Sequence, residues 1–185
     1  MVLEYVECNA INNISQTRGC IDEITARRYF KDIVAGLTYL HSHNVVNGDI
    51  KPADLLLMRI ERVKIGDFSA CHAFEDDNDE LWRYRGTCAL IAPECCLNKV
   101  YNGKAADIWV AGFTLHYMVV GSYPFLSDSL PETYNKIVNS PLILPEELDP
   151  ELKNLLQGLV CKVPKQRITS DMAAEHRWIA RGKAN

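Results

Sequence analysis

The 185 residues are enough for one domain with its own hydrophobic core. Apolar residues at 48% and charged residues at 24% exclude a disordered or fibrous chain. A formal net charge of −4 argues against bulk attraction to nucleic acid or an anionic membrane, so neither is expected as a partner.

The elements follow in chain order. Residues 2–6 (VLEYV) predict a short strand, and a polar stretch follows. From Asp22 to His43, the residues Ile24, Phe30, Ile33, Val34, Leu37 and Leu40 recur at helical spacing and predict an amphipathic helix. The runs LLLM and VKIGDF predict small strands, and residues 69–94 carry no period and read as a long loop. Within that loop, Asp76-Asp77-Asn78-Asp79-Glu80 imitates the opening of a calcium loop. Leu81 and Thr87 stand where glycine and glutamate are required, so it reads as a solvated acidic stretch. Lys104–Val120 is apolar on nearly every face and stops at Gly121, which predicts a helix in the centre of the core. Residues 131–139, 149–161 and 169–180 predict three more helices. Trp82, Trp109 and Trp178 read as core or helix-packing residues, and the five histidines show no metal spacing.

No window is long and apolar enough to span a bilayer. Seven cysteines, an odd number with no CxxC pair, read as reduced thiols of a cytoplasmic or nuclear protein. The opening MVLEYVECN lacks the basic and apolar regions of a signal peptide.

Five short motifs stand in a telling order: HSHNVVNGDIKPADLLLM, then Asp67-Phe68-Ser69, Gly86-Thr87 with Ala92-Pro93-Glu94, Asp107-Ile108-Trp109 with Gly112, and Arg167 in VPKQRIT. Together they resemble the catalytic domain of serine/threonine protein kinases, from the hinge strand at Leu3-Glu4-Tyr5-Val6 to the last helix. The stretches VNGDIKPADLLL, GTCALIAPECC and GSYPFLSDSLPETYNKIVNSPL are similar to the plant relatives of calcium/calmodulin-dependent protein kinase kinases, which activate sucrose-nonfermenting-type kinases. The resemblance implies a mainly α-helical kinase C-lobe with a few short strands around the catalytic loop, and one domain over residues 1–185.

It also implies the roles. Asp49 would accept the proton of a substrate hydroxyl, and Lys51 would neutralise the transferring phosphate. Asp54 and Asp67 would hold Mg²⁺, and Glu4, Val6 and Leu56 would line the adenine slot of ATP. Thr87 would contact Asp49, Glu94 would pair with Arg167, and Asp107 would hold the catalytic-loop backbone, unless it is a simple helix cap.

Several positions depart from the pattern. The chain starts at the hinge, so the phosphate-covering amino-terminal lobe is expected to be absent. Asn47 replaces the usual histidine, which questions a packing link under Phe68. Gly48 replaces the arginine that reads an activation-segment phosphate, and Tyr84 stands between Arg83 and Arg85 where relatives carry a phosphorylatable serine. Asp54 replaces a metal-binding asparagine. Ser69 replaces a glycine, narrowing the backbone freedom of that turn.

Two functions stay open. One is phosphoryl transfer from Mg-ATP to a protein serine or threonine. The other is a non-catalytic, pseudokinase-like fragment that binds a protein substrate or partner kinase. Leu3, Val6, Leu55, Leu56 and Phe68 are expected on the face an amino-terminal lobe would cover, where self-association or docking would shield them unless residues 1–9 fold back.

Overall fold

The structure is a computed structural model and describes residues 10–11, 19–76, 78–97 and 100–181. The expected strand at 2–6, and with it Leu3, Glu4 and Val6, lies outside the described residues.

Helix α1 (Glu23–Ser42) starts where Asp22 accepts the Thr25 N–H at 2.9 Å. Its inward face is Ala26, Tyr29, Phe30, Ile33, Val34 and Leu37. Ile24 is not on that face and is 76% exposed. At about 100° per residue it lies opposite Ile33, so proximity in sequence misassigned it.

Three two-stranded antiparallel sheets follow. β1 (Val45–Val46) pairs with β4 (His72–Ala73), and β2 (Leu55–Leu57) with β3 (Val63–Ile65). β5 (Glu80–Leu81) pairs with β6 (Tyr101–Asn102). The 69–94 stretch is therefore pinned by β4 and β5, and it ends in a 3₁₀ turn (Cys88–Leu90) and the start of α2 (Pro93–Leu97). Strand alternation turns Leu55 into the core at 0% exposure. It is thus absent from the expected bare face, where Leu56 is half-buried and Phe68 exposed.

Helix α3 (Gly103–Val120) is buried on almost every face and ends at Gly121 in the left-handed conformation. Around it pack α1 and α5 (Pro150–Leu159). α4 (Leu130–Asn139) lies against α2. The last expected helix is two, α6 (Ser170–Glu175) and α7 (Arg177–Ala180), because His176 takes an extended backbone and caps the second through Trp178 N–H. Trp109 and Trp178 are fully buried, but Trp82 is 78% exposed, so it is not a core residue. No described helix is long and apolar enough to cross a membrane.

One carboxylate on α3 fixes the loop that carries the motifs. Asp107, 1% exposed, accepts the Asn47 and Gly48 backbone N–H groups at 2.8 Å each and bonds His41 Nε2 at 3.0 Å. The Thr114 hydroxyl donates to the Ile50 carbonyl at 2.8 Å one loop residue beyond Asp49. Further along α3, His116 bonds the Ser122 carbonyl through Nδ1 at 2.7 Å, and burial holds its pKa below the ordinary 6.5.

Asp107→Ala strands two backbone donors and His41. The expected cost is about 3 kcal/mol, a fall in melting temperature of roughly 6–12 °C by calorimetry. For His116, the unfolded chain takes up a proton that the folded chain resists. Its contribution is complete above about pH 6.5 and is lost as the pH falls through the lower folded value. Melting temperature is therefore expected to fall with pH below about 6.5, and His116→Gln to flatten that slope.

Candidate functional site

The catalytic loop leaves β1 at Asn47. That side chain is fully buried and joins two loops. Its Nδ2 donates to the Asp67 carbonyl at 3.3 Å and its Oδ1 accepts the Asp49 N–H at 3.0 Å. The link questioned by the replacement of histidine is thus made by hydrogen bonds, while Phe68 itself stays exposed.

Asp49 is held from two sides. Its Oδ1 accepts the Thr87 N–H at 2.7 Å and its Oδ2 accepts the Thr87 hydroxyl at 3.1 Å. Lys51 Nζ contacts the same Oδ2, lies 3.3 Å from Thr87 Oγ1 and pairs with Asp54 Oδ2 at 3.1 Å. Burial works against the Lys51 ammonium, but the Asp49 and Asp54 carboxylates outweigh it and keep its pKa above the ordinary lysine value. This meeting depends on a residue without a side chain. A Cβ on Gly86 would sit 2.2 Å from the Gly48 carbonyl, so no other residue lets the two segments approach.

Asp67 is exposed, with φ of +46°. Its Oδ1 accepts the Ser69 N–H at 3.0 Å. The Ser69 hydroxyl and amide hold its carboxyl below the usual carboxylate range, with Lys51 adding to the effect. The strained residue is Asp67, and Ser69 has no positive φ, so the serine there costs no left-handed strain. Among the described residues no group of three or more His, Cys, Asp or Glu could hold a metal ion. Mg²⁺ takes hard oxygen donors, usually one or two carboxylates with water and phosphate oxygens. An ionised, open Asp67 and the Asp54 carboxylate offer such hard oxygen donors.

Farther from the loop, Glu94 and Arg167 form a buried two-bond pair, Nη1 to Oε1 at 2.6 Å and Nη2 to Oε2 at 2.8 Å. Arg167 also donates to the Cys161 and Ala105 carbonyls, and its guanidinium lies 5.1 Å from the Trp109 ring centre. The guanidinium is therefore fully engaged while out of water, which is the condition for such a pair to stabilise. Tyr84 turns inward. Its hydroxyl is buried without a hydrogen-bond partner among the described residues, and burial pushes its pKa up.

Leu56 lies on β2, half-buried, in an antiparallel bridge with Ala10. Glu4 and Val6 are outside the described residues. The structure thus brings together Asp49, Lys51, Asp54 and Thr87, joins Asp67 to them through Asn47, and sets Glu94, Arg167 and Asp107 beneath. Sequence reasoning missed His41 and Thr114, which hold the loop from behind. Position i+66 and i+64 partners leave no local pattern, and only a three-dimensional template would have found them.

The protein kinase domain pattern matches residues 1–179. The chain is 54% identical over 179 residues to serine/threonine-protein kinase GRIK1 of Arabidopsis thaliana, covering 97% of this chain and 45% of that protein. To serine/threonine-protein kinase GRIK2 of the same plant it is 51% identical over 181 residues, covering 97% and 44%. To the calcium/calmodulin-dependent protein kinase kinase of Caenorhabditis elegans it is 38% identical over 186 residues, covering 98% and 34%. The chain therefore spans less than half the length of each of these relatives. Motif order, helical architecture and these matches agree, and the chain belongs to the serine/threonine protein kinase family.

Proposed function

We propose that Asp49, Lys51, Asp54, Asp67 and Thr87 form the acceptor side of a site that transfers a phosphoryl group from ATP to a serine or threonine of a protein substrate or partner kinase. The observation that supports this most directly is the posture of Asp49. Both its oxygens are oriented by Thr87 and its charge is balanced by Lys51, yet the group keeps access to solvent. Asp49 orients the substrate hydroxyl and takes its proton as the oxygen–phosphorus bond forms. Lys51 neutralises charge on the transferring phosphate, and Asp67 and Asp54 are the residues that would hold Mg²⁺. That ion would supply positive charge that offsets the charge of the phosphates. Thr87 keeps the Asp49 carboxylate aimed.

By the resemblance to kinases, Leu56 would line one side of an adenine slot together with Glu4 and Val6, which lie outside the described residues. The 185 residues contain no glycine-rich loop and no paired lysine and glutamate to clamp phosphates. One preorganised clamp is worth about a hundredfold in rate. These residues by themselves are therefore expected to hold Mg-ATP weakly and to turn over slowly. Calorimetry on the 185-residue chain is expected to show no Mg-ATP binding in the low micromolar range, and tight binding would overturn this. In the intact protein, phosphate transfer that survives Asp49→Asn would sink the role given to Asp49, whereas no transfer by the unmodified protein would leave partner binding as the function.

Thr87→Val keeps the shape and the backbone bond but removes the hydroxyl. In the intact protein kcat is expected to fall roughly tenfold to a hundredfold, the worth of one hydrogen bond to a charged group, while Thr87→Ser restores it. Steady-state kinetics with a protein substrate checks this, and the KM for ATP should not move.

A further inference from the structure

The acidic run at 76–80 takes no part in the chemistry proposed above, and one of its carboxylates, that of the half-buried Asp79, is bonded to the start of α3. α3 begins with amides that need acceptors, and its own N-cap residue, Asn102, makes no side-chain cap bond. Asp79 supplies the acceptors from outside the helix. Its Oδ2 accepts the Lys104 N–H at 2.8 Å, its Oδ1 accepts Asn102 Nδ2 at 3.0 Å, and its carbonyl accepts the Gly103 N–H at 2.9 Å. A carboxylate here also suits the positive end of the helix. The two residues that follow, Glu80 and Leu81, pair with Asn102 and Tyr101. Leu81 then packs on Gly103 from one side while Val46, beside the catalytic loop, packs on it as well.

Farther along, the same segment is tied again, at Thr87, to Asp49. Residues 79–87 are thus an arch with two fixed feet. Trp82, Arg83 and Arg85 are exposed along its span. The upstream foot stands on the first turn of α3. The downstream foot stands on Asp49, whose loop hangs from Asp107 on the same helix. One rigid element therefore sets the distance between the feet. Gly48 offers no cation to draw in a phosphorylated segment, whereas the Asp79 bonds need none.

We propose that Asp79 is a positioning residue: by capping α3 it seats the activation segment so that Thr87 meets Asp49 without a phosphate. The consequence for turnover rests on the function proposed for Asp49, but the seating of the segment does not.

The test is limited trypsin digestion of the native, intact protein. Asp79→Ala is expected to raise cleavage after Arg83 and Arg85 about tenfold, the usual worth of a lost cap. Asp79→Asn, whose amide oxygen can still accept the Lys104 N–H, is expected to retain most of the protection. Cleavage after Arg27 and Arg28 within α1 should stay unchanged in both. In kinetics, Asp79→Ala should lower kcat with the KM for ATP unaltered. Wild-type protection in Asp79→Ala would overturn the proposal. So would an equal rise at Arg27 and Arg28, because that marks general loss of stability. If the unmodified protein transfers no phosphate, the reading of Asp49 fails while the cleavage pattern still decides the seating.

Discussion

A carboxylate taken out of water must be met by donors, and the buried Asp107 is the constraint on which the rest of this molecule is arranged. Desolvating such a charge costs several kcal/mol. A hydrogen bond to a charged group contributes about 1.5–3 kcal/mol, so three of them offset much of that loss. The three come from different places: two successive amides of the catalytic loop and the ring of His41 at the end of α1. Two of the three bonds come from the loop backbone, so drift of the loop from α3 would strip the buried carboxylate of most of its partners. The geometry of Asp49, two residues beyond Asn47, follows from that bond.

α3 serves as the reference for other ties as well. Asp79 meets its first turn, the Ala105 carbonyl accepts from Arg167, Trp109 lies beneath the same guanidinium, and Thr114 holds Ile50. These contacts fall on successive turns of one rigid rod whose sides are sealed by apolar neighbours. A helix that is apolar all round would normally be a passive core element. Here Asp107 and Thr114, each bonded to the catalytic-loop segment, convert burial into position. Partnered polar groups fix one arrangement where apolar contacts alone would accept several.

Much of this was legible in the sequence, for identifiable reasons. α1 and α3 follow from apolar spacing, and the order of the motifs pointed to the family before any coordinate. Leu55 and Leu56 were not separated, because two adjacent leucines carry no sign of which face is inside until the β2–β3 register is known. Trp82 was placed in the core on residue type, yet it stands exposed on the arch between two fixed feet. Asn47 looked like a lost packing residue because an amide is smaller than an imidazole. Its two bonds show that hydrogen-bonding reach, rather than ring volume, makes the link between the loops. Asp79 was hidden among four other polar residues, all of which favour solvent by composition. What singles it out is the unmet cap of a helix that starts 24 residues later, and no local pattern announces that.

The site divides into groups that hold and groups proposed to react. Asp107, Glu94, Arg167 and Asn47 are buried and saturated with partners, so water cannot compete for them. Asp49, Lys51 and Asp54 are only partly buried, and Asp67 is exposed. A group that must exchange partners with an incoming substrate or phosphate cannot be saturated by bonds that are costly to break. Lys51 shares one ammonium between the Asp49 and Asp54 carboxylates, so neither holds it alone. Openness at the reacting groups is thus affordable only because the buried set beneath them fixes where they stand.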